Sequence, residues 1–150
     1  MGNIRITYND NTQEFLQALE KAKVAGLEAI GLTAETYAKK VITEAGAVDT
    51  GLLRNSITYA VAGAPAHVKT YKAYKRKPGE KALEVHTYEG VADGEPGECV
   101  YVGTNVVYAR GIELGTHRKA GAVHFLQRAA TDPAKKYKQL MKSALENAEK

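Results

Sequence analysis

The tripeptide Asp49-Thr50-Gly51 comes closer than any other part of this chain to the residue types of a catalytic apparatus. An aspartate in such a turn catalyses hydrolysis when a second carboxylate lies beside it and the two share one proton, as in aspartic proteases. Those enzymes place the aspartate in an all-β dimer, whereas here a long helical pattern directly precedes it. Residues 52–54 (Leu-Leu-Arg) also replace the small residue expected after the tripeptide. We therefore expect Asp49 or Thr50 to cap a turn and Gly51 to adopt the backbone conformation that the turn requires.

Three other sequence features are only weak indications of a metal, phosphate or thiol site. Glu113 and His117 have the spacing of metal ligands on one helical face, but Gly115 between them makes a continuous helix doubtful. Residues 103–105 (Gly-Thr-Asn) lack the lysine and the glycine spacing of a phosphate-binding loop. The single cysteine, Cys99, excludes an internal disulfide and any zinc site with two thiolates, and is expected to be a buried or half-buried strand residue. The sequence predicts no catalytic residue, metal or cofactor, and hence no enzyme.

Charge is concentrated in two neighbouring segments. Residues 69–81 carry six cations against one glutamate, and residues 84–98 carry five acidic side chains with no lysine or arginine. Two tyrosines lie among the cations, so this arm could bind nucleic acid by neutralising phosphates and stacking on bases. It could equally meet an oppositely charged surface on a neighbouring copy. The six cations of the arm are Lys69, Lys72, Lys75, Arg76, Lys77 and Lys81.

Length and composition favour one folded domain over residues 1–150, with the charged arm (about residues 64–97) inserted in it. The chain is 44% hydrophobic and 25% charged, which is ordinary for a globular protein and unlike a disordered one. Its apolar runs are too short to span a bilayer, and its first residues lack the apolar core of a signal peptide. We expect synthesis in the cytoplasm.

The elements that must position these residues begin with a predicted strand at residues 4–8 and a helix from about Thr12 to Ala45. Asn11 and Glu14 have the spacing of a capping box, and Gly46 follows as a C-cap. Gly26 and Gly31 within the helix predict a bend or a close packing contact. One predicted apolar face consists of Phe15, Leu19, Ala22, Gly26, Ile30, Thr33, Tyr37 and Val41.

The middle of the chain predicts strands at residues 55–61, 68–74, 82–88 and 98–102, and residues 107–114 as either a short helix or an irregular packed segment. Asp132-Pro133 has the residue types of an N-cap followed by N1 and predicts a closing helix. The fold class is therefore α+β: long N-terminal and C-terminal helices packed on a small, mostly antiparallel sheet, with an extended charged hairpin. The apolar stripe of the closing helix consists of Tyr137, Leu140, Met141, Ala144, Leu145 and Ala148.

Four short motifs occur in order along the chain: TGLLRNS at residues 50–56, VGTNVVYA at 102–109, ELGT at 113–116 and FLQRA at 125–129. In this order and spacing they resemble the tail-component family of long-tailed (siphovirus-type) bacteriophages, whose members are neck or tail-completion proteins. One departure is His124, where family members often have proline. The residues that the resemblance marks for the fold or the subunit interface are Asp49, Thr50, Gly51, Leu53, Arg54, Ser56, Gly103, Thr104, Tyr108, Glu113, Gly115 and Thr116.

The resemblance implies a structural virion subunit that forms a ring, expected to be a hexamer, at the junction between the DNA-filled head and the tail. Its implied partners are the head-completion protein, the tail terminator and the tail tube, with non-specific contact to packaged double-stranded DNA and no membrane. Arg54 and Glu113 are the charged residues expected to be buried or paired, the alternative being exposed strand and loop charges. Two further functions stay open: a tail terminator ring, and a nucleic-acid-binding module that uses the arm.

Overall fold

The chain folds as an α+β protein in which one long N-terminal helix packs against both a small sheet and a C-terminal helix. The computed structural model describes residues 10–48, 51–65, 67–72, 85–90, 92–116 and 121–148. The predicted strand at residues 4–8 and the tip of the charged arm lie outside these residues. The elements are α1 (Thr12–Glu44), α2 (Leu52–Ser56), β1 (Thr58–Val61), β2 (His67–Lys72), β3 (Val85–Gly90), β4 (Val100–Gly103), α3 (Ala109–Leu114), α4 (Phe125–Thr131) and α5 (Ala134–Ala148).

The extent of α1 confirms the helix predicted from the periodicity, but its N-terminus is capped differently. The Asn11 side chain makes no capping hydrogen bond, so the predicted capping box is wrong. Instead the backbone N–H of Thr12 donates to Oδ1 of Asp10 at 3.0 Å. At the other end Gly46 follows the helix with φ of +60°, as a residue after a C-cap often does.

Two different faces of α1 are covered. The α5 stripe, half-buried throughout, packs along one face, where a Cβ added at Gly26 would lie 2.9 Å from Sδ of Met141. The strands β1 and β4 cover the other face, and there a Cβ added at Gly31 would lie 2.5 Å from the Tyr59 ring. The close-contact alternative for both glycines is confirmed. The predicted single stripe was incomplete, because Ala38 and Ile42 are fully buried outside it while Phe15 within it is 53% exposed.

The described strands form two antiparallel pairs. β1 pairs with β4 from Thr58 opposite Gly103 to Val61 opposite Val100, and β2 pairs with β3 along their full lengths. The strand predicted at residues 55–61 is wrong in its first part. Gly51, with φ of +74°, starts the short helix α2 there, and the strand begins only at Thr58. Of the two alternatives predicted for residues 107–114, the short helix is confirmed, and it begins at Ala109.

The main core lies where α1, α2, α3 and α4 meet, with Phe125, Ile42 and Ile57 fully buried. α5 begins at Ala134, so the predicted N-cap role of Asp132 is wrong. Asp132 has helical dihedral angles at the end of α4, and its side chain bonds to neighbouring elements instead.

Candidate functional site

The two longest motifs meet because β1 and β4 pair. β1 follows the first motif and β4 opens the second, so their antiparallel register places Ser56 and Thr104 side by side. The hydroxyl of Ser56 donates to the carbonyl of Leu53 at 2.8 Å, and the backbone N–H of Val106 donates to Oγ1 of Thr104 at 3.2 Å. Since each hydroxyl has one proton, Thr104 must donate to Ser56. A continuous chain of hydrogen bonds therefore connects the first motif to the second.

The third and fourth motifs are joined by Glu113. Its two carboxylate oxygens accept the backbone N–H groups of Leu126 and Gln127, each at 3.0 Å. These are donors in the first turn of α4, which have no acceptor within the helix, so Glu113 caps α4 from a distance. Glu113 is half-buried, which lies between the buried or paired position expected of it and the exposed alternative.

Gly115 allows the chain to turn back after α3. It has φ of +75°, and an added Cβ would lie 2.4 Å from the backbone nitrogen of Ala122. This close approach lets the N–H of Val123 donate to the carbonyl of Ile112 at 3.0 Å. Both the positive φ and the lack of room for a side chain require glycine here.

The remaining motif residues divide into internal and surface positions. Gly51 and Leu53 are buried, and Arg54 and Gly103 are half-buried. Tyr108 and Thr116 are exposed near the C-terminal side of the second motif. Asp49, Thr50 and His117 lie outside the described residues, so the turn-cap role of the first two stays a prediction.

A buried ionic cluster that the sequence interpretation missed joins α1 to β2. Glu35 is a charged residue on the sheet-facing side of α1, and its side chain is 8% exposed. The ammonium groups of Lys39 and Lys69 both donate to its Oε1, and Lys69 also donates to the carbonyl of Ile57 at 2.9 Å. The i, i+4 spacing of Glu35 and Lys39 could have predicted an ion pair within α1. The local sequence gives no indication that Lys69 on β2 is the second partner.

The cluster affects both the arm and the ionisation of Glu35. Burial raises the pKa of Glu35, but the hydrogen bonds and charges of Lys39 and Lys69 outweigh it and hold the pKa below its usual range. Burial lowers the pKa of Lys39 despite its bond to Glu35. Of the six predicted arm cations, Lys69 is thus engaged inside its own chain. Lys72 is the last residue of β2, and Lys75, Arg76, Lys77 and Lys81 lie outside the described residues.

A second polar cluster ties α1 to the junction of α4 and α5. The Tyr37 hydroxyl donates to Oδ2 of Asp132 at 2.7 Å, and Nε of Arg128 donates to the same oxygen at 3.2 Å. The bond from Tyr37 is the main reason why the pKa of Asp132 lies below its usual range, and it raises the pKa of Tyr37. The Tyr137 hydroxyl donates to the carbonyl of Ala129 and fixes the start of α5.

Apolar side chains are exposed around α3, next to the second motif. Val107 is 96% exposed, Leu114 52% and Tyr108 46%. Together with Arg110 and Thr116 they line a shallow concavity of about 640 Å³. Clustered exposed apolar side chains commonly mark an interaction surface.

Cys99 is half-buried, as predicted, but it lies directly before β4 and not in a strand, so that part of the prediction is wrong. Its thiol donates to the carbonyl of Asp93 at 3.4 Å. Among the described residues, three or more histidine, cysteine, aspartate or glutamate side chains nowhere gather as a metal site would need. No helix in the described part of the chain is both long and apolar enough to cross a membrane. Comparisons of the chain with models of protein families, with curated proteins and with solved structures found no match.

Proposed function

We propose that this chain is a structural protein of a bacteriophage virion that forms a ring at the head–tail interface and completes or joins the tail to the DNA-filled head. The observation that carries the proposal is the convergence of the motifs. Ser56 and Thr104 bond to each other, and Glu113 bonds to α4, so the polar side chains at the centre of the motifs serve the fold. A subunit whose characteristic residues build a rigid body suits an assembly role.

Surface features support an assembly partner. Val107 and Leu114 line the concavity beside α3. Burying a fully exposed side chain of this size against a neighbour stabilises a contact by roughly 1.5–3 kcal/mol, and the half-exposed Leu114 would contribute less than Val107. Because the patch is next to the second motif, residues that fix the fold also fix the position of the surface. The proposed partners are further copies of the chain in a hexameric ring, together with other neck and tail proteins.

Electron microscopy of phage particles made without this protein tests the proposal. Full heads beside finished but unattached tails are expected. Overlong tails would instead favour the tail terminator alternative, and normal infectious particles would contradict both.

Complementation with variants links that test to the patch. Val107→Glu is expected to prevent head–tail joining because it places a charge in the proposed contact. Leu16→Glu is the control, since Leu16 is 46% exposed on α1 and lies outside the motifs, the concavity and the charged arm. Joining that proceeds normally with Val107→Glu removes the patch from the proposal.

Contact with DNA is a separate proposal that depends on the arm. β2 and β3 are antiparallel neighbours, with Lys72 paired opposite Val85, so the described strands form the base of the proposed arm. Salt-dependent DNA affinity that disappears after charge reversal of Lys75, Arg76 and Lys77 would favour this function. Lack of DNA binding at low salt would eliminate it.

A further inference from the structure

A second surface feature, distant from the motifs, is a groove between α1 and α5. Its volume is about 660 Å³, and its apolar part includes Leu32, which is 55% exposed, and Pro133. Three lysines line it: Lys40 from α1, and Lys135 and Lys136 from α5. We refer to it as the α1–α5 groove.

The charge of this groove is positive in balance. Its single acidic residue, Asp132, is engaged by Tyr37 and Arg128. Lys40 has Glu44 at 3.7 Å, an exposed i, i+4 pair that holds the lysine only weakly. The groove therefore combines three lysines with apolar side chains, which suits an acidic protein segment better than a uniformly charged phosphate backbone.

The same chain carries a segment of opposite charge. Asp93, Glu95 and Glu98 are exposed on a turn between β3 and β4, with no cation among residues 92–98. The turn is ordered by its own bonds: the N–H of Glu95 donates to Oε2 of Glu98 at 3.0 Å, and the N–H of Gly97 donates to the carbonyl of Ala62 at 3.0 Å. We refer to residues 93–98 as the acidic turn.

A single copy cannot bring the two surfaces together. An added Cβ at Gly97 would lie 2.8 Å from Cβ of Lys23, so the acidic turn packs against the first half of α1. The groove lysine on α1, Lys40, lies seventeen residues further along the same helix, which corresponds to about 25 Å. Only another molecule can supply the acidic turn to the groove.

We propose that the α1–α5 groove binds the acidic turn of a second copy of this chain. The contact joins two different surfaces, so repetition produces a head-to-tail series that can close into a ring. Closure of the ring adds stability, because each subunit then binds two neighbours at once. The proposal deepens the proposed function and rests on it for ring closure.

Charge reversal in purified full-length protein tests the contact by sedimentation velocity. The wild type is expected to self-associate at low salt and to dissociate as salt screens the charges. A groove variant (Lys40→Glu, Lys135→Glu, Lys136→Glu) and a turn variant (Asp93→Lys, Glu95→Lys) are each expected to be monomeric. Lys138→Glu with Lys142→Glu is the control, because both lysines are exposed on α5 outside the groove.

Mixing the variants gives the decisive result. Each variant retains one native surface and carries one reversed surface, so an equimolar mixture restores both contacts. Oligomers of alternating composition are expected, detectable by native mass spectrometry with one variant isotopically labelled. Glutamine substitutions at the three groove lysines provide a milder test and should weaken association by about tenfold or more.

Several results would overturn the proposal: a wild type that is monomeric at every concentration tested, assembly by either reversed variant alone, or a mixture that stays monomeric. Loss of DNA binding in the groove variant with assembly unchanged would assign the lysines to nucleic acid. Failure of the proposed function can be distinguished from failure of this contact. Normal phage particles without the protein would refute that function while leaving this contact intact in solution.

Discussion

The Thr104 hydroxyl donates a hydrogen bond to Oγ of Ser56, a residue 48 positions earlier in the chain. Ser56 is fully buried and passes its own proton to the carbonyl of Leu53, while Thr104 also accepts the N–H of Val106. Two short motifs that are distant in sequence thereby hold one turn of α2 and the segment after β4 in fixed positions.

Removing the Thr104 hydroxyl is expected to destabilise the fold. Thr104→Val keeps the shape of the side chain but leaves Ser56 and the Val106 N–H each short of a partner, with a loss of about 1–2 kcal/mol in the free energy of unfolding. Urea denaturation measures it. Thr43→Val is the control, since Thr43 is exposed and its hydroxyl bonds only to the Lys39 carbonyl within α1. Equal small losses from both variants would show that the link between the motifs contributes little.

Glu113 is expected to stabilise α4 through its carboxylate. Glu113→Ala leaves two N–H groups of the first turn without their acceptor and should lower the free energy of unfolding by about 1 kcal/mol. Glu113→Gln retains one carbonyl oxygen and should lose less. Hydrogen exchange at Leu126 and Gln127 locates the effect, and unchanged protection of these amides in the alanine variant would contradict the capping role.

Gly31 and Gly26 should respond differently to alanine. At Gly31 the new methyl group meets the Tyr59 ring at 2.5 Å and Cγ2 of Val100 at 3.0 Å, so overpacking is expected to destabilise the protein by about 1–3 kcal/mol. At Gly26 the nearest atom belongs to the flexible Met141 side chain, and the better helix propensity of alanine offsets the contact. Thermal unfolding of both variants distinguishes these cases. Equal melting temperatures would contradict the closer packing at Gly31.

Glu35 should make stability depend on acid pH. Its folded-state pKa lies below the ordinary value of 4.5, so ionised Glu35 stabilises the fold above that pH and this contribution is lost as the pH falls through the folded-state value. Glu35→Gln is expected to lower the free energy of unfolding at pH 7 by about 1–3 kcal/mol because both lysines lose their counter-charge. The difference from wild type should shrink below about pH 4.5.

Denaturation across pH 3–7 measures this difference. Glu44→Gln is the matched control, because it removes an exposed carboxylate from the same helix. A gap between Glu35→Gln and wild type that is constant over the whole range would contradict the ionic role of the cluster.

Elements whose residues repeat a local pattern could be predicted before the structure was known. The helix predicted from Thr12 to Ala45 corresponds to α1, and the apolar stripe of the closing helix is the face that α5 packs against α1. Both follow from side-chain periodicity, which is a property of neighbouring residues. The α+β class followed in the same way.

The contacts between residues distant in sequence could not be predicted, because they depend on how the elements pack. Ser56 was predicted in a strand, yet Gly51 begins a helical turn there that is stabilised by contacts with the core. In the sequence Glu35 resembles any other charged residue of a helix. Its burial depends on pairing with Lys69, a residue of β2 that lies 34 positions later in the chain. Local propensity cannot encode such a partner, because the energy of a buried charge depends on what the fold places beside it.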